Sequence, residues 1–240
     1  MPSTVNTRKA GRSQLYFNES VLPACVMNRI VLIALVFCVA AANAQDILIE
    51  KPQDSALDKQ VKAFLRSHKN TWRDLNIPAS DGELLYNVII KNGYKQGLEI
   101  GTSTGHSAIW IAWAFSKTGG KLITLELDAS RHKEALANFR EAGLSTYIDA
   151  RLGDAHELVK ELKGSFDFVF SDADKGWYIN YFKDVSPNLK KGGCFAAHNV
   201  YSHGRGISGT REYLEYVKGL KTFTTTVDDS GGGIAFSYKR

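Results

Sequence analysis

An α/β fold is predicted, with a seven-stranded, mostly parallel sheet, helices on both faces and a C-terminal antiparallel hairpin. Three observations on the 240-residue sequence predict it. Past Gly93, short apolar runs alternate with amphipathic stretches; polar turns carrying glycine or acid follow those runs; and the tail holds two strand-like runs with no room for a helix between them. The composition, 44% hydrophobic and 23% charged, is that of an ordinary globular chain, which excludes disorder, collagen and a pure coiled coil.

In chain order, a leader comes first. Met27, Asn28 and Arg29 precede thirteen apolar residues from Ile30 to Ala42, and Ala42-Asn43-Ala44 follows. A charged start, an apolar run too short for a comfortable span and small residues at its end predict a signal peptide over 27–44, cleaved after Ala44. Residues 1–26 are then a non-native upstream extension, with translation starting at Met27. Export to the periplasm or the medium is the expectation, with no stable membrane span after cleavage. An uncleaved membrane tether stays open, as does a cytoplasmic location if the leader is misread. Cleavage leaves Cys194 as the one cysteine, so no internal disulfide can form.

Residues 45–240 read as a single domain, with 45–96 a helical preamble. Leu57, Val61, Phe64 and Leu65 recur at helical spacing, and a second helix opens at Ser80 with Glu83 completing a capping box. Strands are predicted over 97–100, 121–126, 147–152, 166–171 and 194–197, with helices near 105–116, 130–142, 155–162, 178–188 and 208–218. This alternation means a parallel sheet covered on both faces. Strand-like runs over 222–227 and 234–238, joined by Asp228, Asp229, Ser230 and three glycines, close the sheet as a hairpin.

The net charge of +5 would raise a nucleic-acid partner. Yet residues 1–44 hold four basic residues and one acidic, leaving 26 against 24 in the body, or +2. No nucleic acid is expected.

In such a sheet, ligands bind beyond the carboxyl ends of the strands. After the first strand, Gly101 and Gly105 permit a tight turn beside a ligand, with Ser107 opening a helix; an ordinary glycine turn reads equally well. Glu126 ends the second strand, where an acid can accept both hydroxyls of a ribose, or simply be a solvated charge. Asp154 follows the third strand as a ligand contact or a helix cap. The fourth delivers Asp172, Asp174 and Lys175, and the fifth His198 and Asn199. Acids with an amide suit a hard divalent cation, and the imidazole shifts the preference toward softer metals; caps and salt bridges are the structural alternative.

Leu-Glu-Ile-Gly-Thr-Ser-Thr-Gly-His-Ser at 98–107, Thr-Leu-Glu-Leu-Asp at 124–128, Gly-Asp-Ala at 153–155 and Phe-Asp-Phe-Val-Phe-Ser-Asp-Ala-Asp-Lys at 166–175 together resemble the class I S-adenosylmethionine-dependent methyltransferases. Within these, the resemblance is to the cation-dependent catechol and caffeoyl-coenzyme A O-methyltransferases, and it covers 77–238. It implies a Rossmann-like methyltransferase domain. It further implies that Glu99, Gly101, Thr102 and Ser107 line the methionine end of S-adenosylmethionine, that Glu126 holds its ribose, that Ala155 lies by its adenine, and that Asp174 helps bind it. Asp172 and Asn199 match metal ligands, and Lys175 falls where some members place a catalytic lysine.

One position departs from the pattern. The family has Asp-Asn at the end of the fifth strand, and this chain has His198-Asn199. The donor set expected is Asp172, His198 and Asn199, binding Mg²⁺, Mn²⁺ or a similar ion; the alternative is a His198 that only hydrogen-bonds near the cofactor. Lys175 takes the acceptor's proton or pairs with Asp172 or Asp174. Trp177, Tyr178 and Tyr201 form an aromatic wall or belong to the core. The expected partner is a small hydroxylated acceptor, aromatic and vicinal-diol-like, and the sequence allows a homodimer. A non-catalytic S-adenosylmethionine-binding protein is the alternative function.

Overall fold

The computed structural model describes residues 47–72, 75–203 and 206–240. The leader and the expected cleavage point lie outside these residues. Among the described residues, no helix is long and apolar enough to cross a membrane.

The preamble consists of α1 (Ala56–Ser67) and α2 (Ala79–Asn92), followed by β1 (Gln96–Ile100), α3 (His106–Thr118), β2 (Lys121–Glu126), α4 (Ala129–Glu141), β3 (Ile148–Leu152), α5 (Ala155–Glu161), β4 (Phe166–Ser171), α6 (Tyr178–Val185), β5 (Leu189–His198), α7 (Thr210–Lys218), β6 (Phe223–Asp228) and β7 (Ile234–Lys239). The sheet order is β3-β2-β1-β4-β5-β7-β6, parallel through β5 and antiparallel for the last two. The predicted seven-stranded sheet with a terminal hairpin is what forms.

Alternation along the central strands divides the core in two. Phe168, Phe170, Cys194 and Ala196 face a cluster with α1, α2, α3 and α4, whereas Val169, Phe195 and Ala197 face a cluster with α5, α6 and α7. Both faces of the inner strands are therefore buried, which is why 166–170 reads as a continuous apolar run with a single acid, Asp167. That acid accepts from the backbone N–H groups of Lys95 and Gln96, tying the start of β1 to β4.

Two boundaries differ from expectation. The capping box expected at Ser80 and Glu83 belongs instead to α1, where Ser55 and Asp58 bond reciprocally. Pro78, with φ −57°, starts α2 without any side-chain cap, and Ser80 Oγ turns to Asp81 Oδ1 at 3.5 Å. β5 begins at Leu189 rather than Cys194. Lys190, Lys191 and Gly192 resemble a turn in sequence, but they lie within the strand as a bulge, since Phe166 pairs with Leu189 and Phe168 with Cys194.

The buried Tyr178 holds the two strand ends that frame the site. Its hydroxyl lies 2.9 Å from the carbonyl of Ser171 and 3.1 Å from that of His198. Tyr178 is therefore core, not an acceptor wall. Tyr178→Phe should leave the fold intact and lower the unfolding free energy by about 1–2 kcal/mol, measured by chemical denaturation.

Candidate active site

A cleft of about 670 Å³ opens at the carboxyl ends of the parallel strands. Nine residues singled out from sequence line it: Gly101, Glu126, Asp154, Ala155, Asp172, Asp174, Lys175, His198 and Asn199. The parallel sheet makes this convergence, because every β-to-α turn leaves on one edge.

The turn after β1 is held from below. The N–H groups of Gly101 and Thr102 both donate to the carbonyl of Leu125, at 3.0 and 3.1 Å. Gly101 has φ 98°, and a Cβ there would lie 3.0 Å from the backbone nitrogen of Ala173. A side chain would fill the gap between the β1 and β4 turns. Glu126 anchors the same loop: Oε2 accepts from Ser103 N at 2.7 Å and Oε1 from Asp128 N at 2.9 Å. Each oxygen keeps a further lone pair for a hydroxyl donor.

Glu99, Thr102 and Ser107 do not line the cleft; they are buried behind its wall. Thr124 Oγ1 bridges Thr102 Oγ1 and Glu99 Oε2, at 2.6 Å each. Burial pushes the Glu99 carboxyl up to about 8, opposed by the hydroxyls of Ser107 and Thr124 and reinforced by the charges of Asp172 and Glu126. Glu99 Oε1 is buried with no hydrogen-bond partner. Such an acceptor suits a cationic ligand group, so these residues fit the amino-acid end of S-adenosylmethionine.

Asp154 and Asp174 satisfy both of their readings. Asp154 caps α5 through His156 N at 2.9 Å, and Asp174 caps the 3₁₀ turn at 175–177 through Gly176 N at 2.9 Å. His156, unmarked by sequence reasoning, lies between them, its ring nitrogens 3.7 and 3.5 Å from their carboxylates. Leu127, Arg131 and Tyr181 also line the cleft and were missed. Leu127 had a signal, since it directly follows the ribose candidate on the same strand end. Trp177 and Tyr201 do not line the cleft.

Asp172, Lys175 and His198 meet as an ion-pair chain. Lys175 Nζ contacts Asp172 Oδ1 and bonds to the Asp172 carbonyl at 2.9 Å. His198 Nδ1 lies 3.2 Å from the same Oδ1, an ionic contact. The other nitrogen, Nε2, is 2.8 Å from Oδ2 of Asp81, a residue of α2 that no sequence signal marked. Burial works against the charged imidazole, but the adjacent carboxylates of Asp172 and Asp81 outweigh it and hold His198 up at about 9. Asn199, in the left-handed region at φ 57°, directs Nδ2 toward the Gly232 carbonyl at 3.4 Å.

This arrangement does not fit a divalent cation. The Asp172 oxygen nearest the site already faces an ammonium and an imidazole, and His198 Nε2 is committed to Asp81. Among the described residues, no group of three or more His, Cys, Asp or Glu is disposed to hold a metal ion. The expected donor set of Asp172, His198 and Asn199 is thus assembled in space, but as salt bridges.

The fold and cleft define an α/β protein of the Rossmann-like class. A family model described as O-methyltransferase matches residues 51–229, and the chain belongs to that family. Caffeoyl-CoA O-methyltransferase 1 of Eucalyptus globulus is 30% identical over 159 residues, which are 62% of this chain and 64% of that protein. The match thus spans somewhat less than two thirds of that relative. The caffeoyl-CoA O-methyltransferase of Medicago sativa is 28% identical over 177 residues, 70% of each chain. Among solved structures, the O-methyltransferase TomG of Streptomyces achromogenes, involved in tomaymycin synthesis and solved with SAM, is 25% identical with a TM-score of 0.63, covering 87% of this chain and 96% of its own. The Bacillus cereus O-methyltransferase solved with SAH shares the fold at 24% identity and a TM-score of 0.66, covering 82% and 95%.

A pH dependence follows from His198. Its pKa in the fold, about 9, is raised above the ordinary 6.5, so the stability it contributes is complete below about 6.5 and is lost as pH rises through 9. In denaturation series across pH, the stability difference between the wild type and His198→Gln should fall by on the order of 3 kcal/mol between pH 6 and alkaline pH.

Proposed function

We propose that the chain is an S-adenosylmethionine-dependent O-methyltransferase acting on a hydroxyl of a small, aromatic, vicinal-diol-like acceptor. The observation that carries this is one cleft holding Glu126 together with the Lys175–Asp172 pair, in a member of the O-methyltransferase family. The names of the caffeoyl-CoA relatives support an aromatic hydroxyl as acceptor.

When bound, S-adenosylmethionine would supply an electrophilic methyl group for a lone pair of the acceptor oxygen, with the electrons of the carbon–sulfur bond returning to sulfur. Glu126 accepts the ribose hydroxyls. Ala155, Leu125 and Leu127 give the adenine an apolar wall. Asp174 and Asp154 hold the turns that border it. Lys175, the catalytic residue, faces the acceptor with its ammonium, which Asp172 holds in place, and the hydroxyl proton leaves to water at the mouth of the cleft. The ammonium beside the resulting oxyanion stabilises it in a partly buried setting, where such an interaction is stronger than in water.

The leader supports a second proposal, export of the mature chain. Protein purified from its native host should then begin at Gln45 on N-terminal sequencing, whereas a soluble cytoplasmic product retaining 30–44 would refute it.

Calorimetry with S-adenosylmethionine tests the cleft. Glu126→Ala should weaken binding by about 1–3 kcal/mol, some tenfold to a hundredfold. Lys175→Ala should leave that affinity near the wild-type value and lower kcat on a catechol panel by about 10²- to 10⁴-fold. Tight cofactor binding with no turnover on any hydroxylated acceptor would point instead to a non-catalytic S-adenosylmethionine-binding protein.

A further inference from the structure

Four charged groups alternate in a line across the fold: Asp81, His198, Asp172 and Lys175. They come from α2, the end of β5, the turn after β4 and the 3₁₀ turn beyond it. Side-chain exposure is 2% for Asp81, 6% for His198, 12% for Asp172 and 18% for Lys175. Charges this dry are tolerated only when each has its counter-charge, and here two anions meet two cations.

The chain of charges stands where the family resemblance implies a divalent cation. Such a cation has two tasks, to neutralise the acids at the strand ends and to stabilise an oxyanion beside them. Lys175 and His198 already neutralise Asp172, from two directions and through one oxygen.

Nothing in this requires His198 to be free to turn. Asp81 Oδ2, which pairs with His198 Nε2, also accepts from Gly232 N at 2.8 Å, so the carboxylate is itself fixed. A Cβ on Gly232 would stand 2.4 Å from His198 Nε2 and 2.7 Å from Asp81 Oδ2. The glycine run between β6 and β7, which looks like a mere hairpin connection in the sequence, lets the backbone close over this pair.

We propose that Lys175 and His198 together take the place of the divalent cation, so that methyl transfer by this chain needs no metal, and that Asp81 is the positioning residue that holds His198 in that role. This rests on the O-methyltransferase reading above. The ion pairs supply fixed positive charge at the strand ends, and Asp81 prevents the imidazole from swinging away from Asp172. His198→Asp would remove one cation and set three carboxylates facing one another, which is the chemistry of a hard-cation site.

The test uses the full chain and measures cation binding separately from turnover. Calorimetry with Mn²⁺ and Mg²⁺ on the S-adenosylmethionine-loaded wild type should show no stoichiometric binding, neither ion should raise its Tm, and turnover should be unchanged in excess chelator. His198→Asp should gain a Mn²⁺-dependent rise in Tm, and any turnover it retains should become chelator-sensitive. Should that variant fail to fold, His198→Gln serves: kcat should fall roughly a hundredfold with cofactor affinity unchanged and no metal binding gained. Asp81→Asn should lower kcat while leaving cofactor affinity and the acceptor KM near their wild-type values, a split between kcat and KM that a purely structural role would not produce. One Mn²⁺ or Mg²⁺ bound per wild-type chain, chelator-abolished turnover, or full chelator-resistant turnover in His198→Gln would overturn the proposal. If no acceptor is methylated at all, the O-methyltransferase reading fails, while the calorimetry and Tm measurements still decide whether the wild-type site takes a cation.

Discussion

The imidazole of His198 is held between two carboxylates that approach it from opposite sides, and much of the site's architecture follows from that contact. Asp172 belongs to the turn after β4, Asp81 to the preamble helix α2, and His198 closes β5. One buried side chain thus ties the helical preamble, two central strands and, through Gly232, the terminal hairpin. Replacing a carboxylate by imidazole at the end of β5 changes the electrostatic problem rather than only the ligand type. With an acid there, three carboxylates would crowd a buried space and demand an external cation. With a histidine there, the same space closes on its own charges.

The cofactor half of the cleft follows a different logic. Glu126 spends one lone pair per oxygen on backbone N–H groups, which fixes both the acid and the Gly101–Gly105 loop before any ligand arrives. Glu99, Thr102 and Thr124 form a buried polar seam beneath that loop, and the seam leaves one acceptor, Glu99 Oε1, unfilled. A group that is costly to bury without a partner favours the bound state when the partner is positively charged. The loop is thereby pre-organised on one side and incomplete on the other, an arrangement that favours a cationic ligand group.

The sheet was legible because its signals are local: apolar runs of strand length, polar turns at their ends, and a gap between the last two runs too short for a helix. Cleft residues were legible for the same reason, since a parallel sheet delivers every turn to one edge and membership can be read by counting from each strand. What escaped was whatever depends on contacts between distant segments. Asp81 lies 117 residues from His198, inside a helix whose first turn looks like an ordinary polar start, and nothing in its neighbours marks it as an inward-facing anion. The capping box was misplaced because Ser80 and Glu83 have the right spacing, yet Pro78 already sets the helix start. The early start of β5 was hidden by Lys-Lys-Gly, a sequence that reads as a turn and here bulges out between the pairings of Leu189 and Cys194.

The preamble is therefore more than a cover for one face of the sheet. Val61, Phe64 and Leu65 of α1, with Leu85 and Ile89 of α2, bury their apolar stripes against α3, and that packing alone would justify the two helices. Yet α2 also carries Asp81 to the end of β5, where its charge meets a cationic ring at 2.8 Å. Without that carboxylate, the line of charges would hold two cations against one anion, and the imidazole would lose both a counter-charge and the hydrogen bond that orients it. The family match begins at residue 51 and so takes in both helices. The hydrophobic docking of α2 sets where its first turn lies, the first turn sets where Asp81 lies, and Asp81 sets which way His198 faces. Packing on one face of the sheet thus reaches, through three residues, the electrostatics of the edge where its parallel strands end.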